Sequence, residues 1–222
     1  MRTLVIGDIH GAHKALVQVL KAAKFDYNND RLICLGDVAD GWTEVPECIE
    51  ELIKVKNLIY VIGNHDQFMY EWLKFGVSPD IWLNQGGRAT RKAYVHRRPE
   101  LMEKHRDFFN DKPYYFIDET NNLYVHGGIN IGTTVKQNTV DDLMWDRSLF
   151  YSPRRVVQHN KVFIGHTPTQ VRDSDAPIEI FNVVCMDTGA GYNGRLSIYD
   201  IDKEIFWCSD NVQDLYPNVK GR

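Results

Sequence analysis

The chain has 222 residues, 43% hydrophobic and 25% charged, with 26 Lys and Arg against 30 Asp and Glu and a formal net charge of −4. That length supports one sizeable core and is short for two independent ones. A pI near 6.1 argues against a general nucleic-acid binder, which is normally basic, and no stretch approaches the ~18 uncharged apolar residues of a membrane span.

In chain order, Arg2 to Ile6 reads as a strand, and Leu16, Val19, Leu20 and Ala23 follow with the spacing of a packed helix face. Arg31 to Leu35 is the next strand, Val45, Ile49, Leu52 and Ile53 mark a second helix, and Leu58 to Ile62 a third strand. The first third is therefore α/β. Between Asp66 and Asn122 the pattern is irregular and largely helical, with Phe68, Tyr70, Trp72, Phe75 and Trp82 near its start. Such aromatics are usually core. We expect a single domain over 1–222 with a helical cap-like insertion over 67–122. Strands predominate afterwards, at Tyr114–Ile117, Leu123–His126, Lys161–Ile164, Ile178–Phe181, Val183–Met186, Leu196–Tyr199 and Ile205–Cys208, which implies a second, mixed sheet. The tail from Gln213 is expected to fray.

Four cysteines without paired metal-ligand spacing argue against a disulfide framework. With the first cluster beginning at Gly7, we expect no secretory leader. A cytoplasmic location is the expectation.

Five short clusters carry chemistry: Gly7-Asp8-Ile9-His10-Gly11, Gly36 to Asp40, Gly63-Asn64-His65-Asp66, Val125-His126-Gly127-Gly128 and Gly165-His166-Thr167, each ending a hydrophobic run. Hydrolysis of a phosphate ester near neutral pH needs a strong oxygen nucleophile. Two cations roughly 3.5–4 Å apart can generate one from a shared water while neutralising the phosphoryl oxygens. Asp8, His10, Asp37, Asn64, His126 and His166 supply the carboxylate, imidazole and amide ligands such cations take. In an extended segment i and i+2 point to one side, so Asp8 and His10 could grip one ion. Taken singly, a D-x-H after a strand is more often a turn aspartate and a surface histidine; five clusters together favour one shared centre. Glycines beside the ligand positions allow unusual backbone angles or close approach. Asp187, before Thr188-Gly189-Ala190, reads equally as a turn carboxylate or as an acceptor orienting a ligand histidine. His13, His96, His105 and His159 have no ligand-like company.

These clusters, with Trp82, Gly86-Gly87, Met144-Trp145-Asp146-Arg147, Gly165 to Pro168 and Asp187 to Ala190, resemble the metallophosphoesterase superfamily over essentially the whole chain. Within it they are similar to the phosphoprotein phosphatase family, particularly the small protein serine/threonine phosphatases of the bacteriophage lambda type. The resemblance implies an αββα sandwich of two mixed sheets flanked by helices, the calcineurin-like fold. It also implies two divalent metal ions, manganese by likeness, with iron, zinc or cobalt admissible to the same ligands. Asp8, His10 and Asp37 would hold the first, and Asp37 would bridge to a second held by Asn64, His126 and His166. Pro168 stands where many relatives have a second histidine, leaving the first ion one protein ligand poorer.

By the same likeness, His65 is the general acid for the leaving alkoxide, Asp40 orients its ring, and attack is in-line by a hydroxide bridging the metals. Asn64, Arg147 and Arg88 are the expected phosphate-binding residues. The chain departs from its relatives at Gly41, where they carry a phosphate-contacting arginine. Arg88, beside Gly86-Gly87, leads a basic stretch with Arg91, Lys92, His96, Arg97 and Arg98 that could replace it, although most charge runs are solvated helix faces. Arg147 could instead be a surface ion pair. The implied function is phosphomonoester hydrolysis on phosphoserine or phosphothreonine proteins, with phosphotyrosine admissible. The alternative is a phosphodiesterase or nucleotide hydrolase acting on cyclic nucleotides, dinucleoside polyphosphates or nucleic-acid ends. A non-catalytic metal-binding interaction module is a third reading.

Overall fold

A computed structural model describes residues 1–95, 97 and 99–221. Its first half is two crossovers: β1 (Thr3–Ile6), α1 (His13–Ala22), β2 (Arg31–Cys34), α2 (Val45–Ile53) and β3 (Asn57–Tyr60), with β1, β2 and β3 mutually parallel. Then come four helices, α3 (Asn64–Phe75), α4 (Asp80–Trp82), α5 (Arg88–Tyr94) and α6 (Pro99–Phe109), with a wide π-type turn over Leu83–Gly87 joining α4 to α5. The second half holds β4 (Tyr115–Ile117), β5 (Leu123–Val125), α7 (Val140–Trp145), α8 (Ser148–Tyr151), β6 (Val162–Ile164), β7 (Ile178–Ile180), β8 (Val183–Cys185), β9 (Ser197–Asp200), β10 (Ile205–Cys208) and α9 (Val212–Leu215). Within the segment 67–122, β4 thus already belongs to a sheet.

One sheet runs β10-β9-β1-β2-β3, parallel from β1 to the β3 edge and antiparallel from β1 through β9 to β10; the other runs β4-β5-β6-β8-β7, with a parallel centre and an antiparallel strand at each edge. Strand periodicity explains how they stack. Val5, Ile33, Leu35 and Val61 point between the sheets and meet Tyr124, Phe163, Val184 and Met186. Leu4, Ile6, Leu32 and Cys34 point the other way, under α1 and α2, where Leu16, Val19, Leu20, Ile49 and Leu52 cover them. On the far sheet Leu123, Val125, Val162, Ile164, Val183 and Cys185 turn outward toward Leu143, Leu149 and Phe150. The result is an αββα sandwich with apolar residues on both faces of each sheet, as near-continuous hydrophobic strands require. Each such aliphatic or aromatic side chain stabilises the fold by ~1.5–3 kcal/mol relative to an exposed one, and Phe163 against Tyr199, centroids 5.7 Å apart, links the two sheets.

Two expectations are corrected. The third strand ends at Tyr60 rather than Ile62, because the Ile62 amide donates to Pro113 and the Gly63 amide to Asp66. The tail is docked rather than frayed: Tyr216 is buried, stacks on Trp42 at 5.1 Å and donates to Glu44, and α9 precedes it. Among the described residues no helix is long and apolar enough to cross a membrane, and all four cysteines are free.

Candidate functional site

Parallel strands aim their C-terminal ends the same way, and the crevice outside those ends is where such sheets place ligands. Here β1, β2 and β3 of one sheet and β5, β6 and β8 of the other each release a loop there, which carries Asp8, Asp37, His126, His166 or Asp187 or, after β3, leads into Asn64 at the start of α3. His10, Asp37, Asp40 and His166 hold left-handed backbone, with φ of 50°, 53°, 71° and 65°. Such angles cost on the order of 1–3 kcal/mol each and persist only where the surroundings impose them. They also correct a detail: His10 joins Asp8 through a sharp turn, not through the i, i+2 geometry of an extended segment.

The six expected ligand residues converge and are all buried. Asp8, His10 and Asp37 form one group and Asp37, His126 and His166 another, each with its ligand atoms within 4.8 Å of one another, so Asp37 is common to both. His10 Nε2 lies 3.9 Å from Asp8 Oδ2 and 3.8 Å from Asp37 Oδ2. His126 Nε2 lies 3.3 Å from Asp37 Oδ2 and 3.0 Å from Asn64 Oδ1, which puts Asn64 beside the second group. The other ring nitrogens are tied down. His10 Nδ1 sits 2.8 Å from the Ala39 carbonyl and His126 Nδ1 2.7 Å from the Leu35 carbonyl, so each donates there and turns Nε2 to the centre.

Electrostatics test whether this donor set fits cations. Burial pushes Asp8 well above the usual carboxylate range, and Asp187 and Asp37 add to it. For Asp37, burial acts upward, but His126 and His65 more than offset it and hold the group well below that range. Burial alone would lower His126, yet Asp37 raises it to about 10. His166 is pushed down to about 2 by burial, then by His126 and Arg147, and its buried Nε2 has no hydrogen-bond partner among the described residues. Crowded carboxylates and a neutral imidazole with an orphaned lone pair suit two divalent cations. The mixed oxygen and nitrogen set suits manganese, iron, zinc or cobalt.

Two glycines are present for lack of space. A Cβ on Gly63 would lie 2.1 Å from Asp37 Oδ1, and one on Gly165 2.2 Å from Asp8 Oδ1. A further residue escaped the sequence reading except as the end of its cluster. Asp66 accepts from the amides of Asp37, Val38, Ala39 and Gly63 at 2.7, 3.0, 3.2 and 3.1 Å, and from the Tyr60 hydroxyl at 2.8 Å. It thereby clamps the loop after β2 to the start of α3. Burial and Asp37 raise its pKa to about 7 against these five donors. The signal that could have found it is an acid in the first turn of a helix, where free amides collect.

Beside the ligands, His65 Nδ1 is 2.5 Å from Asp40 Oδ2 and the ring packs edge-on to His10 at 5.2 Å. Asp40 also accepts from Trp82 Nε1 and from the Thr90 hydroxyl. His65, Arg147, Gln85, Trp145 and Tyr192 all line one cleft of about 370 Å³ with the expected ligands His10, Asn64 and His166. Arg147 is not a surface ion pair. Its NH1 group donates to the His166 carbonyl at 3.0 Å and to Thr167 Oγ1 at 2.8 Å, fixing it in the wall. Asp187 lines this cleft too, and its carboxylate accepts from the Gly189 amide at 2.9 Å as a turn residue would.

Arg88 is not brought there. It is exposed at the start of α5, bonds Asn84, and with Arg91, Lys92 and Arg97 lines a different cleft of about 550 Å³ floored by Trp72, Leu83 and Met102. Arg97 pairs with Glu47; His96 and Arg98 lie outside the described residues. His105 is buried between the Tyr94 hydroxyl and Glu50, a structural role. Gly41 has φ of 82°, and a Cβ there would lie 2.9 Å from the His10 carbonyl oxygen, so this backbone disfavours the arginine that the family resemblance would put there.

Comparison with known proteins agrees with this geometry. The chain is 26% identical over 210 residues to serine/threonine-protein phosphatase 1 of Salmonella typhimurium, covering 87% of this chain and 89% of that one. It is also 26% identical over 227 residues to the asymmetrical bis(5'-nucleosyl)-tetraphosphatase PrpE of Bacillus cereus, covering 89% of each. A crystal structure described as a putative diadenosine tetraphosphatase shares the fold, with a TM-score of 0.71 and 18% identity over 93% of this chain and 92% of that one. Residues 1–195 match the model of the calcineurin-like phosphoesterases. The chain belongs to the calcineurin-like phosphoesterase family.

Proposed function

We propose that this protein is a metal-dependent phosphomonoesterase acting on phosphoserine or phosphothreonine residues of proteins. The observation that carries this reading is the buried Asp40–His65 pair at the cleft. A serine or threonine alkoxide is a poor leaving group and needs a proton as its P–O bond breaks. A nucleotide phosphate leaves as a stable anion and needs little such help, so a built proton donor favours the alkyl ester.

Asp8, His10, Asp37, Asn64, His126 and His166 are the residues that would hold two divalent cations, manganese by likeness. When bound, such a pair supplies an activated water and neutralises phosphoryl charge. The chain's own residues do the rest. Arg147, pinned through NH1, clasps the phosphoryl oxygens with its remaining guanidinium hydrogens. Asp40 accepts the Nδ1 hydrogen of His65 and so orients the ring. His65 then passes its Nε2 proton to the leaving oxygen. Free cysteines suit a reducing compartment such as the cytosol.

A second reading, hydrolysis of dinucleoside polyphosphates, draws on Gly41 in place of a second arginine and on Trp145 and Tyr192, 37% and 39% exposed, which could stack on a base. The two are separated by steady-state turnover of manganese-reconstituted protein on a phosphoserine peptide and on diadenosine tetraphosphate, with Asp37→Asn as blank. Higher kcat/KM on the peptide is expected. Preference for the tetraphosphate would replace the first reading with the second.

A further inference from the structure

We propose that Trp82 and Thr90 are positioning residues that set the proton-donating geometry of His65 through Asp40, and that the helical segment is therefore part of the catalytic apparatus and not only a cover for the core. The inference rests on the reading of His65 as proton donor.

The Asp40 carboxylate is fully buried, and both of its oxygens are used. Oδ2 accepts from His65 Nδ1 at 2.5 Å and from Trp82 Nε1 at 2.8 Å; Oδ1 accepts from the Thr90 hydroxyl at 2.6 Å and more distantly from the same indole at 3.0 Å. Thr90 Oγ1 in turn accepts from the Asp40 amide at 2.9 Å, so one hydroxyl fixes both the backbone and the side chain of Asp40. Without these donors the carboxylate could rotate about its Cβ–Cγ bond, and the imidazole it holds would turn with it.

The positions of the two donors are themselves imposed. Trp82 ends α4, Thr90 lies in α5, and the wide turn between them, with Gly86 at φ of 106°, lets residues on both sides meet Asp40. The indole has little freedom. Trp72 packs against it with centroids 5.8 Å apart, and a Cβ on Gly87 would come within 2.5 Å of the ring. Trp82 and Thr90 are themselves fully buried. A core tryptophan needs only one acceptor for its N–H; this one spans both oxygens of the carboxylate that touches the histidine.

The test uses leaving groups, since a proton donor matters for a poor one and hardly for a good one. Manganese-reconstituted wild type, His65→Asn, Trp82→Phe, Thr90→Val and Thr90→Ser are compared on phenyl phosphate and 2,4-dinitrophenyl phosphate. Trp82→Phe and Thr90→Val are expected to lower kcat on phenyl phosphate about 10-fold, a part of the ~10²–10⁴-fold a general acid contributes. Turnover of the dinitrophenyl ester and KM for both should stay within about twofold of wild type, and Thr90→Ser should restore the phenyl ester. Equal losses on the two esters, or no loss, while His65→Asn remains selective for the phenyl ester, would overturn the positioning role alone. His65→Asn without that selectivity would overturn the proton-donor reading and this inference with it. Should Trp82→Phe fail to fold, the Thr90→Val and Thr90→Ser pair decides.

Discussion

The two walls of the cleft are built differently. The strand-end wall takes Asp8, Asp37, His126 and His166 from loops that leave parallel strands within three residues of the last paired residue, so each ligand is placed by the sheet itself. The helical wall reaches the site through partners far apart in the chain, Trp82 and Thr90 lying 42 and 50 residues from the Asp40 they hold. On the proposed reading, the site rests on the sheet for its charges and on the helical segment for the geometry of its proton donor. The largest expected effect lies on the first wall. Asp37→Asn removes the carboxylate common to both ligand groups with almost no change of volume. Activity on an aryl monoester should fall by more than the ~10–100-fold that loss of an outer partner costs, with bound manganese reduced in elemental analysis. An Asp37→Asn protein that kept both its metal and its activity would contradict the shared-ligand geometry.

This contrast also explains what the sequence made legible. The candidate ligands stood out because each followed an apolar run, and the run told of a strand whose end was a loop. The strands followed from the same runs, since Val5 between Leu4 and Ile6 leaves no polar face for solvent, whereas their stacking into a sandwich was implied by the family resemblance. Asp66 was hidden because its five donors come from Tyr60, Gly63 and the backbone of residues 37–39, a loop only the fold brings near. Trp82 read as a core aromatic, which it also is, and Thr90 carried no signal. Arg88 misled through sequence adjacency: Gln85, within the turn, lines the site, whereas Arg88 at the start of α5 lines the neighbouring cleft. The tail read as free because chain ends commonly fray, whereas Trp42, the partner of Tyr216, lies across the fold.

The two arginines sharpen the comparison at the substrate. Arg147 belongs to the strand-end wall through the His166 carbonyl and Thr167, and charge-assisted hydrogen bonds contribute about 1.5–3 kcal/mol. Arg147→Ala should lower kcat/KM for a phosphomonoester by roughly 10–100-fold. Arg88→Ala should change it less than about twofold, as for an exposed side chain away from the reaction. The same two kinetic constants decide the matter: the reverse ranking would move phosphate capture to the helical wall.

A smaller effect, tenfold per pH unit, probes the charges of the strand-end wall alone. In chelator-treated protein Asp37 raises His126 to about 10 against the opposing effect of burial, so near neutral pH the ring is cationic. A cation needs the bare Nε2, and binding at the Asp37, His126 and His166 group must release that proton. His166, pushed down to about 2, has none to release. Affinity there should weaken by about tenfold for each unit the pH falls below about 10, the slope of one displaced proton. Calorimetric titration of manganese in two buffers of different ionisation enthalpy measures that proton directly. The sign for stability is the opposite. A raised folded pKa means the His126–Asp37 pair stabilises the chelated fold fully below the unfolded histidine value of ~6.5 and loses that contribution as pH rises through about 10. Between these values metal binding therefore strengthens while this pair's contribution to the chelated fold declines. A melting temperature that rises with pH only in the metal-loaded protein, together with the measured proton, would assign both trends to this one pair.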